Sequence, residues 1–161
     1  MMAKRSFKTQ STAWPGVPDA RRRIMRAIRG RDTKPELEVR RGLHRMGYRY
    51  RLHAKALPGK PDLVFPSRRK VIFVHGCFWH LHAHCSIGRI PKTRTDYWAT
   101  KLNSNRKRDR QVRRKLKAMG WEALVVWECE IANLPAAIRK ASEFLDVMER
   151  RRPIKNPGRD S

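Results

Sequence analysis

The string HGCFWHLHAHC, residues 75–85, packs two cysteines and four histidines into one short stretch, and a third cysteine, Cys129, follows in VVWECE. Thiolates and imidazoles are preferred zinc donors. Two thiolates and an imidazole from one loop, with a distant thiolate, complete a closed tetrahedral Cys3His site. Such a site would staple the loop to the strand that ends near Cys129. The alternative is that Cys77, Cys85 and Cys129 are small buried hydrophobic groups, and the crowding of histidines around them favours metal. His84 is disfavoured as the nitrogen ligand because it adjoins Cys85, and sequence neighbours seldom turn both side chains onto one ion. His80 and His82 stay open on spacing alone. The choice matters, because the imidazole left over is free to move protons.

A second chemistry lies upstream in LPGKPDLVF, residues 57–65, where Asp62 opens an apolar strand opposite a run that ends Val74-His75-Gly76. Nucleases with a PD-(D/E)xK site hold Mg²⁺ with such an aspartate and add an acid and a lysine from the next strand. Here Val74, His75 and Gly76 stand where that acid and lysine would be, so the standard restriction-enzyme set is incomplete. Pro-Asp by itself is a common turn dipeptide.

The charge names the partner for this chemistry. The chain has 39 Lys and Arg against 14 Asp and Glu, a formal charge of +25, and a field of that sign draws in a polyanion. Nucleic acid is expected ahead of a membrane surface. No run has the apolar length to cross a bilayer, and the opening MMAKRSFKTQSTAWPG lacks the hydrophobic stretch of a secretory signal, so a cytoplasmic location is expected. An odd number of cysteines in a reducing compartment argues against a disulfide framework.

The elements that must position these groups follow from periodicity. Residues 1–17 and 150–161 carry no pattern and read as flexible ends, leaving residues 18–149 as a single domain with one core. Ile24, Met25, Ala27 and Ile28 recur at helical spacing among arginines, predicting a short basic helix within 18–31. Thr33, with Glu36 three residues later and Pro35 between, predicts a helix start, with Leu37, Val39, Leu43 and Met46 as its apolar side and Gly47 as its stop. Residues 48–52 are expected to begin extended structure. PDLVF (61–65) and KVIFV (70–74), joined by PSRR, read as a hairpin. A basic helix is expected over 96–119 with Gly120 as its end, a third strand over 121–128, and a last helix over 134–150. This order predicts an α/β fold with a mixed central sheet flanked by helices.

Taken together, Pro58-Gly59-Lys60-Pro61-Asp62, His75-Gly76-Cys77-Phe78-Trp79-His80, Thr93-Arg94-Thr95-Asp96-Tyr97-Trp98 and Trp127-Glu128-Cys129, preceded by Met25-Arg26-Ala27-Ile28 and Arg31-Asp32-Thr33, resemble the Vsr family. These are very-short-patch-repair endonucleases that nick at a T:G mismatch. The resemblance covers roughly residues 20–130 and implies a restriction-endonuclease-like fold with a structural zinc site. It implies Asp62 as the acidic Mg²⁺ ligand, His80 as the group that activates water, His75 and Asp109 as its support, and Glu36 as a further acid near the reacting strand. The implied zinc ligands are Cys77, His82, Cys85 and Cys129. Phe78, Trp79 and Trp98 match aromatic residues that wedge into the duplex beside the mismatch, and Met25 matches an apolar residue that enters from the other groove. Val74 stands where the family's best-known member has Thr, so a metal contact there would use the backbone carbonyl. The spacing from His82 to Cys85 is one residue longer than in that member, a change zinc tolerates.

These implications combine into an expected mechanism. Asp62 holds Mg²⁺, which neutralises phosphate charge, and His80 accepts the proton of the attacking water. A weakly stacked T:G pair admits the aromatic wedge at less than the few kcal/mol of unstacking a regular step. The arginines of 21–31 and the run RKRDRQVRRK would sit on phosphates, adding affinity without sequence choice. The expected partner is double-stranded DNA with a T:G mismatch, acted on by a monomer in the bacterial cytoplasm, associated with the nucleoid. MutL-type mismatch-repair proteins are the helpers to test. The rival readings are a zinc-stapled nucleic-acid-binding module without catalysis and a related nuclease with little mismatch preference.

Overall fold

A computed structural model describes residues 32–147 except His53 and His84. The expected basic helix at 18–31, Met25 within it, and the 150–161 tail lie outside the described residues. The described residues from Thr33 to Val147 fall in one unit. Its elements are α1 (Lys34–Arg45), β1 (Leu63–Phe65), β2 (Lys70–His75), α2 (Thr95–Ala118), β3 (Glu122–Trp127) and α3 (Leu134–Asp146), with 3-10 turns at Pro66–Arg68 and Glu128–Asn133. The order is the expected one: helix, hairpin, loop, helix, strand, helix.

The sheet has the order β1-β2-β3 and is mixed. β1 runs antiparallel to β2, with Leu63 opposite Ile72. β3 runs parallel to β2, and the last pair of that register is His75 opposite Trp127. Arg51 bridges Val64, which is what the extended segment at 48–52 contributes.

Period-two alternation along the strands feeds two cores. Leu63, Phe65, Ile72 and Val126 point to one face and pack with Val39 and Leu43 of α1 and Ala137, Ile138, Ala141 and Leu145 of α3. Val64, Val71 and Phe73 point to the other, where Leu57 and Leu116 of α2 cover them. The result is three layers with helices on both faces. α2 buries only Leu102 and Leu116 along its 24 residues, so nearly all of its lysines and arginines face solvent. Gly120, at φ +74, turns the chain out of α2 toward β3, a conformation open to glycine without Cβ strain.

Two local features differ from expectation. Thr33 does precede α1, but its side chain makes no bond to the backbone; its hydroxyl donates to Glu36 Oε1 at 2.9 Å, tying the acid down instead of capping the helix. The last helix stops at Asp146, short of residue 150. The cause comes from the hairpin: Arg68 donates to the Leu145 carbonyl at 2.9 Å and Lys70 to that of Phe144 at 2.7 Å. Lys70 also donates to the Val147 carbonyl. Cations on the terminal carbonyls close the helix there.

Candidate active site and metal centre

β2 and β3 end side by side, and both clusters of reactive side chains lie just beyond that edge, where parallel α/β sheets commonly place their sites. The first is Cys77, His82, Cys85 and Cys129, whose ligand atoms all lie within 4.8 Å of one another. His82 Nδ1 is 3.3 Å from Cys129 Sγ and 3.6 Å from Cys77 Sγ. The Cys129 amide N–H donates to Cys77 Sγ at 3.4 Å. β3 ends at Trp127, so Cys129 sits in the 3-10 turn that follows, one step beyond the strand end expected for it. That turn is anchored by Glu130, whose Oε2 accepts the Trp127 N–H at 2.8 Å and whose Oε1 pairs with Lys140 at 2.6 Å.

Burial pushes the Cys77 thiol up to about 12, whereas amide donation from Ile87 draws Cys85 below the ordinary thiol value. Three sulfurs and an imidazole within 4.8 Å of one another suit a cation that binds thiolates. The donor set fits a metal ion.

The second cluster is His75, His80 and Asp109. His80 Nδ1 and Asp109 Oδ2 are 2.5 Å apart. The His75 and His80 rings are stacked at 3.7 Å and 12°. Ring nitrogens coordinate in the plane of the ring, so two parallel imidazoles aim their lone pairs alongside each other and not at a common point. The three donor groups lie within 4.8 Å of one another, close enough to hold a cation, and the His80–Asp109 pair is also an arrangement that could hold and move a proton. Burial, followed by the charge of His80, lowers His75 to about 4, which keeps it neutral. Burial alone would raise Asp109, but the hydrogen bond and charge of His80 outweigh it and hold the carboxyl below its ordinary value. An ionised Asp109 fixes the His80 proton on Nδ1 and leaves Nε2 as an acceptor.

Asp62, just before β1, accepts the Val74 N–H on Oδ2 at 2.8 Å. Burial raises its carboxyl to about 6; Glu36 pushes the same way, while Arg40 and His80 oppose. It faces the histidine cluster electrostatically without joining its group of donor atoms. The loop that delivers it depends on Gly59, at φ +77, where a Cβ would stand 2.4 Å from Val112 Cγ1 of α2. Glu36 is buried, with Oε1 bonded to Thr33 and Oε2 to Arg40 at 3.1 Å. Val74 meets Asp62 through its amide, and its carbonyl remains the only atom by which it could touch a metal.

Phe78, Trp79 and Trp98 form one partly buried aromatic cluster, with ring centroids 5.1 to 6.1 Å apart. Asn105 of α2 donates to the Trp79 carbonyl at 3.1 Å. Sequence reasoning missed Asn105, although its spacing of four from Asp109 puts both on one helix face. It also missed Arg40, which lies four residues from Glu36, and any role for Trp127.

Residues 16–86 match the family model described as DNA mismatch endonuclease Vsr. The chain is 52% identical over 129 residues to the type II nicking enzyme V.XorIIP of Xanthomonas oryzae pv. oryzae, covering 80% of this chain and 94% of that one. It is 44% identical over 111 residues to the DNA mismatch endonuclease Vsr of Escherichia coli, covering 69% of this chain and 70% of that one. A type II nicking enzyme of Neisseria meningitidis, V.NmeAIP, is 44% identical over 110 residues, covering 68% and 78%. On these relatives, the chain belongs to the Vsr family of DNA endonucleases.

Proposed function

We propose that this protein nicks one strand of double-stranded DNA beside the T of a T:G mismatch by Mg²⁺-dependent hydrolysis, starting very short patch repair. The observation that carries the reading is the His80–Asp109 pair at 2.5 Å, within electrostatic reach of the half-buried Asp62. Asp109 orients the imidazole, and His80 Nε2 accepts the proton of the attacking water. His75, stacked and neutral, supports the ring without competing for that proton. Asp62 would hold the divalent ion, with the Val74 carbonyl beside it, and Glu36 adds negative charge behind. A bound Mg²⁺ supplies charge neutralisation at the phosphate.

Zinc is the metal proposed for Cys77, His82, Cys85 and Cys129. Sulfur at about 2.3 Å and nitrogen at about 2.0 Å around a tetrahedral ion lie roughly 3.5 Å apart, and the separations of 3.3 and 3.6 Å support that choice. Phe78, Trp79 and Trp98 are proposed as the wedge, with Met25 from the opposite groove. The proposal extends to a restriction-endonuclease-like fold spanning residues 18–149, a monomer acting in the bacterial cytoplasm, and assistance by MutL-type proteins. Among the described residues no helix is long and apolar enough to cross a membrane.

The test is single-turnover nicking of a T:G duplex and its T:A counterpart, with and without Mg²⁺. Mg²⁺-dependent cleavage confined to the mismatched duplex is expected, and Asp62→Ala should bind that duplex without nicking it. Equal cutting of both duplexes favours the nuclease without mismatch preference, and binding without cleavage favours the non-catalytic module.

A further inference from the structure

The two clusters are joined by an unbroken series of ring contacts whose middle member has no role in the reading above. The Trp127 indole is stacked on the His82 imidazole at 4.1 Å and 7°. It meets His75 in a T-shaped contact at 5.6 Å and 76°. His75 is stacked on His80 at 3.7 Å, and His80 holds Asp109. Trp127 thus touches a residue of the metal-fitting cluster on one side and the platform beneath the proposed base on the other.

Its own anchorage is firm. Trp127 pairs with His75 in the parallel ladder, and its amide is held by Glu130, which Lys140 holds in turn. An indole lying flat on His82 blocks rotation of that ring, so Nδ1 stays aimed at the thiolates. The T-shaped contact blocks His75 from tilting away, so the surface under His80 stays flat. Neither contact needs a hydrogen bond; what matters is the area and rigidity of a large ring wedged between two smaller ones.

We propose that Trp127 is a positioning residue for the nicking reaction: it couples the orientation of His82 in the metal-fitting cluster to that of His80 through His75. The proposal rests on His80 being the base. Trp127 touches no reacting atom and acts by keeping His80 Nε2 where the attacking water must stand, and displacements of about 1 Å at such a group can cost up to about 10²-fold in rate.

The experiment is a double-mutant cycle on the zinc-loaded full chain, using Trp127→Leu, His75→Leu and the pair, with Trp127→Phe as the conservative variant. Zinc content, affinity for the T:G duplex and single-turnover nicking rate are measured for each. Trp127→Leu should slow nicking by about 10- to 100-fold with zinc and affinity retained. Trp127→Phe should recover most of that loss. The double variant should be no slower than His75→Leu alone, because both changes remove the same support. A purely structural role would change affinity or zinc content and leave the rate effects additive. Additive losses, or wild-type nicking by Trp127→Leu, overturn the proposal. Should Trp127→Leu shed zinc, Trp127→Met, which fills the space without a flat ring, takes its place in the cycle, and additive losses or wild-type nicking by that variant overturn the proposal. His80→Ala is run alongside: if it nicks normally, the reading of the base fails and this coupling with it, whereas additivity beside an inactive His80→Ala overturns the coupling alone.

Discussion

The two clusters beyond β2 and β3 use the same side chain for opposite ends, and the difference lies in how the imidazoles are aimed. His82 turns Nδ1 toward two sulfurs, 3.3 and 3.6 Å away, so its lone pair converges with theirs on one point. His75 and His80 lie flat against each other at 3.7 Å, and Nδ1 of His80 is committed to a carboxylate. Convergence suits an ion, while parallel stacking with one nitrogen tied suits the exchange of a proton on the other, as proposed above. A histidine count would treat the two sites alike. Ring orientation separates them.

The largest expected effect tests whether the first cluster is structural. Zinc bound to small metal-held folds contributes on the order of 10 kcal/mol of apparent binding free energy. Cys129→Ala should therefore lose zinc and melt well below the wild type, read by metal content and thermal unfolding. If it keeps both, the thiols are merely buried and the comparison collapses.

Next in size is the contrast between the histidines. His80→Ala should stay folded, keep zinc and bind the T:G duplex while the chemical step falls by about 10² to 10⁴. His82→Ala should lose metal and fold. Single-turnover nicking and metal content for both variants sharpen the comparison, and an active, metal-loaded His82→Ala beside a zinc-free His80→Ala reverses it.

A smaller effect comes from Asp62, whose carboxyl is raised from 3.8 to about 6. Between those values the folded protein keeps a proton that the unfolded chain has released. The stability this contributes is full below about pH 3.8 and is lost as pH rises through about 6, a total of about 3 kcal/mol. In zinc-loaded protein without Mg²⁺ at pH 7.5, Asp62→Asn should gain stability of up to that order, and the gain should vanish near pH 4; with Mg²⁺ supplied, the variant should not nick. Added Mg²⁺ should raise the melting temperature of the wild type but not of Asp62→Asn. Denaturant unfolding at the two pH values checks the first part, and equal stability at both removes the charge strain from the site.

The smallest change is Gly59→Ala. A positive φ and a 2.4 Å approach to Val112 Cγ1 both resist a Cβ, at about 1 to 3 kcal/mol. Since that loop delivers Asp62 and not the thiols, nicking should fall while zinc content is unchanged. Loss of zinc in this variant would mean that the clusters do not stand on separate supports.

Much of this was legible in the chain. The apolar runs in PDLVF and KVIFV, split by the PSRR turn, marked two strands, and Thr33 with Glu36 marked where α1 begins, because those signals depend on neighbours a few residues apart. Other features were not legible. The early end of α3 is imposed by Arg68 and Lys70 from 77 and 74 residues away. Thr33 bonds its acid instead of the helix, since a buried Glu36 needs partners for both oxygens.

By itself the sequence determined the chemical inventory: three thiols, a crowd of imidazoles, an aspartate opening a strand, and a charge that calls for a polyanion. It also carried the family resemblance. Spacing alone left His80 and His82 interchangeable, since each lies a few residues from Cys77 in a loop that could turn either ring inward. Tertiary structure brought Cys129 to Cys77 across 52 residues and Asp109 to His80 across 29, and so gave each imidazole its neighbour. The physical reason is that a ligand or a base is defined by where its lone pair points, and only the packed ends of β2, β3 and the adjoining turn of α2 set those directions.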